Sequence, residues 1–558
     1  MVKKVVYIVG IALLVLLLFL GYWVSRDVVP PLNYVPADSS MVLRLTDLDG
    51  LWGQMEQHPC IEQAPVEVRR AVSKRWGLDG LPEWLRPLTR NKVSYLLGKE
   101  VVCAFPEGVG DDPMFATRIH PLLKVAEWAA RTIHQIEVKW VDGWPVRRVD
   151  LGGGQNLHYV LLSRTFLGSM DLDALLACLR TENPLRTDGD YQTLRAKVSA
   201  SEGLELFLDF ARLSSVSSDS LFTPEKGIIL IRLGEDGDIL LDGKIGLGGK
   251  KRHLAKALTP GTLEIFSHVP QDSLLVLASD WSQDLRDTLL FFSKLLEQDN
   301  LNPDNLGVWL SLFMVFDIDI KKDLIDAGEE ELALVLHDIA VHEVIPIPEL
   351  ALLLKSSDPD STRDMFYRTV DTLLNNKDCR ELLSNYAPRF VVSEEILPFL
   401  EIREKDLDGS RIYSMPNVPL GRMFQPALSS LGDFICLTTS ELALEKFLSA
   451  QATEKNLANH KGYGDLWKRR SNAALFVHVG EWARRIESLD EEAASLGLLR
   501  DMDLERFEKE KRPLYEALQY VDGLLLCLSM QDGEIALEGR LHLVGPSGSK
   551  TQGAKRKL

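Results

Sequence analysis

Short runs of alternating apolar and polar residues recur through the 558-residue chain. Segments such as "KEVVCAF" (99–105), "NLHYVLLS" (156–163) and "GLELFLDF" (203–210) are rich in aliphatic and β-branched residues and predict β-strands. Helical spacing is clearest in "DSTRDMFYRTVDTLLNN" (360–376), where apolar pairs recur at i,i+4 after a start that resembles a capping box. Hairpin signals outnumber β-helix-β crossovers. The pattern predicts an α+β fold with mixed, largely antiparallel sheets and packed helices.

Two distant stretches carry nearly the same pattern, "EDGDILLDGKIGL" (235–247) and "QDGEIALEGRLHL" (531–543). Each contains Asp-Gly between apolar stretches, which is a strong signal for a β-hairpin turn. At a constant offset of 296, Gly227–Leu247 and Gly523–Leu543 share 8 identities in 21 positions. The repeated phrase therefore suggests an internal duplication.

Four further landmarks recur in the same order, at offsets of 234, 270, 272 and 272. They are "VPADSSMVLRL" with "VPQDSLLVLAS", "LGSMDLDALLACL" with "LTTSELALEKFLS", "DYQTLRA" with "GYGDLWK", and "LFLDFARL" with "HVGEWARR". The chain is predicted to hold two copies of one domain, at 30–250 and 255–545. The rising offsets place insertions in the second copy near 375–407 and 486–509.

The amino-terminal segment at 5–24 is apolar and carries no charge, and Lys3 and Lys4 precede it. Twenty helical residues span about 30 Å, which matches the hydrocarbon thickness of a bilayer. The length of the run and its Tyr22-Trp23 end favour an uncleaved anchor over a cleavable signal peptide. The sequence predicts one transmembrane helix, a cytoplasmic stub at 1–4, and an extracytoplasmic body that is periplasmic in a Gram-negative cell. The membrane is then one partner.

The balance of charge disfavours nucleic acid as a partner. The net charge is −18, and without the two amino-terminal lysines and four basic residues of the tail it is −18 − 2 − 4 = −24 for residues 5–544. Such an acidic body repels phosphate backbones. The tail at 546–558 is predicted to be disordered. Hydrophobic residues make up 46% of the chain and charged residues 26%, which indicates packed globular domains.

Cysteines and other candidate groups do not predict a reactive site. Four of the six cysteines lie in apolar runs and are predicted to be buried: Cys103, Cys178, Cys436 and Cys527. Pairing of Cys60 with Cys379 is left open. "GGGQN" (152–156) lacks the strand-to-helix context of a phosphate loop and favours a hairpin turn. In "HDIAVHE" (337–343), the spacing of His337 and His342 directs the two side chains apart and disfavours a metal site. No catalytic residue, cofactor or metal ligand is predicted.

The order of an amino-terminal span, "VPAD" (35–38), "LLGKEVVCAF" (96–105) and "FLGSMDLDALLACL" (166–179) resembles a known group. It is similar to uncharacterised membrane-anchored bacterial envelope proteins of a domain-of-unknown-function family. The resemblance covers most of residues 30–545 and implies an envelope location without an established activity. The second copy departs from the pattern, with Gln271 where the first has Ala37.

The leading hypothesis is a non-enzymatic, membrane-anchored extracytoplasmic protein that binds or scaffolds another envelope protein. An envelope hydrolase with a dispersed active site is one alternative. A chaperone-like or lipid-handling periplasmic protein is another, and it requires an apolar groove or an exposed apolar patch.

A partner-binding arm is predicted within the second insertion. The stretch "RRIESLDEEAASLGLLRDMDLERFEKEKRP" (484–513) is rich in helix formers and pairs Glu with Lys or Arg. Its apolar residues recur at helical intervals and form a stripe of Ile486, Leu489, Ala493, Leu496, Leu499 and Phe507. The stripe either binds a second protein or packs on its own domain.

Overall fold

A computed structural model describes a large part of the chain. The described residues are 29–56, 99–106, 112–119, 136–152, 155–198, 203–213, 223–234, 236–248, 260–280, 331–342, 345–356, 402–407, 409–415, 425–495, 504–531 and 533–544, with positions 124, 127, 364 and 367. The chain divides into two compact units. Unit 1 comprises Met1–Arg252 and Glu534–Leu537, and unit 2 comprises His253–Gly533 and Glu538–Leu558.

Unit 1 is built on an antiparallel sheet. Its described strands are β1 (Met41–Thr46), β2 (Glu100–Phe105), β3 (Met114–Arg118), β4 (Glu137–Val141), β5 (Trp144–Gly152), β6 (Gln155–Leu162), β7 (Thr165–Ser169), β8 (Gly203–Asp209), β9 (Thr223–Leu233) and β10 (Ile239–Gly248). Their lateral order is β10-β9-β8-β1-β2-β3-β7-β6-β5-β4. Every neighbouring pair in this order is antiparallel, so hairpins and short connections build the sheet.

The helices with described bounds in unit 1 are α1 (Leu48–Glu56), α2 (Leu172–Leu179), α3 (Gly189–Ala196) and α4 (Phe210–Leu213), with 3₁₀ turns at Pro31–Tyr34 and Leu185–Thr187. Of these, α2 and α3 pack on the core of the sheet. Asp171 and Asp188 are the N-caps of α2 and α3, and Asp188 accepts a hydrogen bond of 2.8 Å from the Tyr191 backbone N–H. Such caps satisfy amide groups that have no partner inside the helix. The core between helices and sheet includes Val102, Leu175 and Phe207.

Unit 2 contains a second antiparallel sheet. The remaining described strands are β11 (Gly261–Thr262), β12 (Leu275–Asp280), β13 (Glu331–His342), β14 (Ile345–Lys355), β15 (Arg403–Leu407), β16 (Ser410–Ser414), β17 (Ala427–Leu431), β18 (Phe434–Thr438), β19 (Arg470–Ser471), β20 (Ala473–Val477), β21 (Val521–Gln531) and β22 (Glu534–Leu543). The lateral order is β21-β20-β12-β13-β14-β18-β17-β16-β15, again antiparallel throughout. β11 and β19 form a separate two-stranded pair.

The helices with described bounds in unit 2 are α5 (Glu441–Thr453), α6 (Val479–Ser495), α7 (Leu504–Glu510) and α8 (Arg512–Leu518), with 3₁₀ turns at Glu264–Ser267, Leu457–Asn459 and Gly464–Lys468. Ser440 caps α5 by accepting a 3.0 Å hydrogen bond from the Ala443 N–H. In the core, the Tyr463 ring packs edge-on against Trp467 and Phe476, with centroids 5.6 and 5.5 Å away. This aromatic cluster joins the 3₁₀ turns to β20.

The two units share one strand order. The order β9-β8-β1-β2-β3-β7-β6-β5-β4 in unit 1 matches β21-β20-β12-β13-β14-β18-β17-β16-β15 in unit 2, strand for strand. A pair of isolated bridges also matches, Pro36 with Pro184 and Pro270 with Asn456. Residues in the paired central parts of the two sheets therefore have matching positions. The predicted domain boundaries stay predictions.

The predicted fold class is corrected. The described structure is largely antiparallel β rather than α+β, and no parallel strand pairing occurs among the strands listed above. The hairpins determine the described architecture, whereas several segments of helical pattern lie outside the described residues, as do most of the insertion near 375–407 and the tail at 546–558.

The transmembrane topology is corrected as well. The proposed anchor at 5–24 lies outside the described residues, and within the described ranges no helix combines the length and apolar composition needed to cross a bilayer. The longest described helix, α6, has 17 residues and carries many charges. The predicted single-pass anchor thus has no support among the described residues.

Candidate functional site

The sheet of unit 2 is apolar on both faces. Along β12, Val276 and Ala278 are buried in the core, while Leu275 and Leu277 point to the opposite face because side chains alternate along a strand. The same alternation in the neighbouring strands places further leucines on that outer face. We name as the leucine face the set Leu275, Leu277, Leu332, Leu334, Leu336, Leu350, Leu352, Leu475, Leu524, Leu526 and Leu528.

Strand register brings these leucines into continuous rows. Leu277 lies directly opposite Leu334 on β13 and Leu475 on β20. Leu334 in turn lies opposite Leu352 on β14, and Leu475 lies opposite Leu526 on β21. The central row thus crosses five strands with leucine at every position.

The centre of the leucine face is open to solvent. Leu277 is 46% exposed and Leu334 is 43% exposed, and the other nine leucines are half-buried. None of the eleven belongs to the main buried core of unit 2. An antiparallel sheet that has one face in water normally carries polar residues there. This surface instead has the composition of an interface.

Unit 1 carries an apolar row at the matching positions. There Leu43 on β1 lies opposite Cys103 and Leu206, and Phe115 lies opposite Cys103. Phe115 is 40% exposed, and the other three are half-buried. An apolar outer face is therefore present in both units, although its residues differ.

A cluster of three histidines around one carboxylate lies in unit 2. The Nε2 atoms of His460 and His478 are 3.3 and 3.6 Å from the two carboxylate oxygens of Asp522, and the Tyr463 hydroxyl donates a 3.4 Å hydrogen bond to Oδ2. The His542 ring centroid is 5.9 Å from that of Tyr463. This arrangement ties the 460–463 loop to β21 and to the end of β20.

Electrostatics in this cluster favour an ionised aspartate. Burial alone would raise the pKa of Asp522, but the hydrogen bond from His478 and the nearby imidazoles of His460 and His542 hold its pKa below the ordinary value. Burial lowers the pKa of His460, and His478 and His542 lower it further, against the effect of Asp522. Within the described ranges, no three His, Cys, Asp or Glu side chains have the geometry of a metal site.

His337 and Asp338 of "HDIAVHE" do not form one site; the His342 side chain and Glu343 lie outside the described part of the chain. His337 is 2% exposed, and its Nδ1 lies 3.2 Å from the Ser273 hydroxyl. His337 is the extra residue of a β-bulge between Leu336 and Asp338, and Asp338, which lies opposite the buried Glu349, pairs with Arg485 at 3.0 Å. His337 Nε2 is buried without a hydrogen-bond partner. The group packs as a neutral core histidine.

A groove of about 310 Å³ runs beside α5. Its lining is mixed, with Leu442 next to Asp272, Lys446 and Lys455. Lys446 is engaged at 3.4 Å by Glu349. Charged side chains interrupt the apolar part of this lining, so the leucine face is the stronger candidate for an apolar partner.

The predicted partner-binding arm is helical where it is described. Ile486 and Leu489 are half-buried on α6, which packs against α7, α8 and β21. Leu496 and Leu499 lie outside the described residues. Phe507 on α7 is fully buried, with the Arg512 guanidinium 5.6 Å from its ring centroid. Phe507 is thus engaged inside unit 2, and partner binding by the arm stays a prediction.

The cysteines are free thiols in the described part of the chain. Cys178, Cys436 and Cys527 are buried, as predicted, whereas Cys103 is half-buried on the outer face of unit 1. Burial raises the pKa of Cys103 and of Cys527 to about 11. Thiols with raised pKa values are poor nucleophiles, and these act as small apolar side chains. Cys60 and Cys379 lie outside the described residues.

Comparisons with known proteins add little to this geometry. No family model matches the chain, and no curated protein matches it. Crystal forms III and I of TP0453 are similar over 41% and 40% of this chain and over 85% and 81% of their own, at 10% identity and TM-scores of 0.23 and 0.22. Scores this low do not assign a fold. The resemblance to envelope proteins of unknown function stays a prediction.

Proposed function

We propose that the protein is a non-enzymatic binding protein and that the leucine face of unit 2 holds its partner. One observation carries the proposal: eleven leucines occupy one sheet face outside the main core, and the two at its centre, Leu277 and Leu334, are more than two-fifths exposed. Burying apolar area yields about 25 cal/mol per Å², so this face gains free energy from any apolar surface that covers it.

The same face suits the chaperone-like or lipid-handling alternative, which requires an exposed apolar patch. Both versions share the essential step, which is the removal of leucine side chains from water by a bound partner. Unit 1 has an apolar row at the matching positions, and this supports a role for the face. The sheet face that lies in water normally carries polar residues, so apolar residues at both places are consistent with a contact there.

An apolar fluorescent dye, anilinonaphthalene sulfonate, tests the proposal on the full chain. The wild type is expected to enhance dye fluorescence, and the double variant Leu277→Asp/Leu334→Asp is expected to lose at least half of the enhancement. Leu514→Asp is the matched control, since Leu514 is 59% exposed on α8 and lies outside the leucine face.

Thermal unfolding of the same variants distinguishes a face that binds no partner from a face that the chain itself already covers. Equal dye enhancement by the wild type and the double variant would show that the face is not a binding surface. A fall in Tm of more than about 5 °C in the double variant alone would show that the chain itself already covers the face. Unchanged Tm with lost dye binding supports the proposal.

A further inference from the structure

We infer that the partner of the leucine face is an amphipathic α-helix of another polypeptide, with basic residues on its polar side. The inference rests on the proposed function and names the kind of partner. Its evidence is the size of the face, the spacing of its side chains and the charge of the chain.

The size of the face fits one helix. Its central row crosses five strands from Leu526 to Leu352, and four spacings of about 4.8 Å give a length of about 19 Å. Along β13 the face runs from Leu332 to Leu336, which is about 14 Å at about 3.4 Å per residue. A helix of about 13 residues is about 19 Å long and 10–12 Å wide, so it fills this surface.

The spacing of the leucines also fits a helix. Side chains directly opposite each other on neighbouring strands, such as Leu277 and Leu334, have Cβ atoms about 5 Å apart. Residues at i,i+3 and i,i+4 on a helix have Cβ atoms about 5–6 Å apart. An apolar helical stripe laid along the central row therefore meets a side chain of the sheet at each step. A helix on an apolar groove is a common mode of peptide recognition.

A second copy of this chain fits less well. The face has an area of about 270 Å², obtained from the two dimensions above. A stable protein–protein interface buries about 800 Å² on each partner. The leucine face alone is too small for a dimer, whereas a docked helix adds contacts from its flanks.

The negative charge of the chain favours basic residues on the polar side of the bound helix. The chain has a net charge of −18, and residues 5–544 together are more acidic still, at −24. Lysine and arginine on the solvent side of the helix are attracted by this field and raise the rate of association. Glutamate and aspartate at the same positions are repelled.

A designed peptide tests the inference on the full chain. The probe is a labelled 14-residue peptide of leucine and lysine with leucine at i,i+3,i+4 spacing, and the control is a scrambled peptide of the same composition and charge. Fluorescence anisotropy is expected to show binding of the first peptide at least about tenfold tighter than of the second, and circular dichroism is expected to show a gain in helicity. Leu277→Asp/Leu334→Asp weakens binding about tenfold or more, and Leu514→Asp does not.

Other occupants of the leucine face would give different results in these binding experiments. Binding of palmitate at the face without preferential binding of the helical peptide overturns the helix inference but leaves the proposed function standing. A dimer in sedimentation equilibrium that the double variant abolishes overturns it in favour of a second copy. Absence of both dye and peptide binding to the wild type overturns the inference and the proposed function together.

Discussion

Arg44 on β1 lies directly across from Glu205 on β8, and the Arg44 Nη1 and Glu205 Oε2 atoms are 3.5 Å apart. Glu205 is 3% exposed and is also bound by Arg195 at 2.7 Å and by the Tyr191 hydroxyl at 2.5 Å. Arg44 reaches Glu100 at 2.9 Å on its other side. Unit 1 thus holds a nearly buried ionic network on the core face of its sheet.

Unit 2 has apolar residues at the matching positions. By strand register, Arg44 corresponds to Ala278 and Glu205 corresponds to Ala474. By the alignment of "DYQTLRA" with "GYGDLWK", Arg195 corresponds to Trp467. A carboxylate is kept only at the edge, where Glu331 in unit 2 corresponds to Glu100. The same strand framework therefore accommodates either an ionic or an apolar core at this place.

Arg44→Ala is expected to lower the free energy of unfolding by about 2 kcal/mol, because it removes one partner from the buried Glu205 carboxylate. The triple variant Arg44→Ala/Arg195→Trp/Glu205→Ala, which reproduces the unit 2 residues, is expected to recover at least half of that loss, since a buried ionic group can be replaced by packed apolar residues at little cost. Urea unfolding measures both. A triple variant less stable than Arg44→Ala would show that unit 1 depends on its charges.

The alternation of apolar residues predicted strands where β2, β6 and β8 lie, but pairing partners and faces depended on register. A gap-free offset of 296 matched Ile231 with Cys527. In the structure Ile231 lies opposite Leu204, and its counterpart by strand register is Leu528, which is one residue later. Because successive side chains point to opposite faces, a one-residue shift exchanges the core and outer faces. Sequence identity was highest around the turn, where it says little about register in the strands.

The Asp-Gly turn of the β9–β10 hairpin gives a test of local geometry. Gly237 has φ +89°, a conformation that costs an L-residue about 1 kcal/mol or more. Gly237→Ala is expected to lower the free energy of unfolding by about that amount. Gly246→Ala on β10 is the control, because its added Cβ would lie 3.6 Å from the Lys226 carbonyl, an ordinary contact. Equal losses for the two variants in urea unfolding would contradict the turn argument.

Two adjacent leucines on β14 test the two faces of the unit 2 sheet. Leu353 is fully buried in the core, whereas Leu352 lies half-buried on the leucine face. Leu353→Ala is expected to lower the free energy of unfolding by about 3 kcal/mol through lost burial and a cavity, and Leu352→Ala is expected to lower it by about 1 kcal/mol. Chemical denaturation of the full chain measures both. Similar large losses would mean that the outer face is packed as tightly as the core.

The leucine face had a signal in the sequence that the strand predictions did not use. "ELALVL", "LALLLK" and "LLLCLSM" carry apolar residues at both odd and even positions, which is typical of strands covered on two faces. The predicted arm of Ile486, Leu489, Leu496, Leu499 and Phe507 has the clearer pattern, a helical period. Helical period alone does not separate a stripe that binds a partner from one that packs on its own domain.

Acid is expected to destabilise unit 2 through His337. Burial lowers the pKa of His337 to about 4; Asp272 and Asp338 oppose this shift, and Lys446 and Arg485 add to it. The folded-state value lies below the ordinary 6.5, so between pH 6.5 and about 4 the unfolded chain binds a proton that the folded chain does not. The stability contributed by neutral His337 is thus fully present above pH 6.5 and is lost as the pH falls to about 4, by about 3 kcal/mol.

His337→Gln isolates this contribution. Glutamine keeps a polar group that can reach the Ser273 hydroxyl, 3.2 Å from Nδ1 in the wild type, but it does not titrate. Tm is therefore expected to fall less steeply between pH 6.5 and 4 in the variant than in the wild type, with the two curves parallel above pH 7. The His460 and Asp522 cluster remains in both proteins, and because both of its pKa values are lowered it adds the same acid-dependent loss to each. Identical pH profiles would show that His337 is protonated at little cost in the folded chain, and the buried, neutral state assigned to it would be wrong.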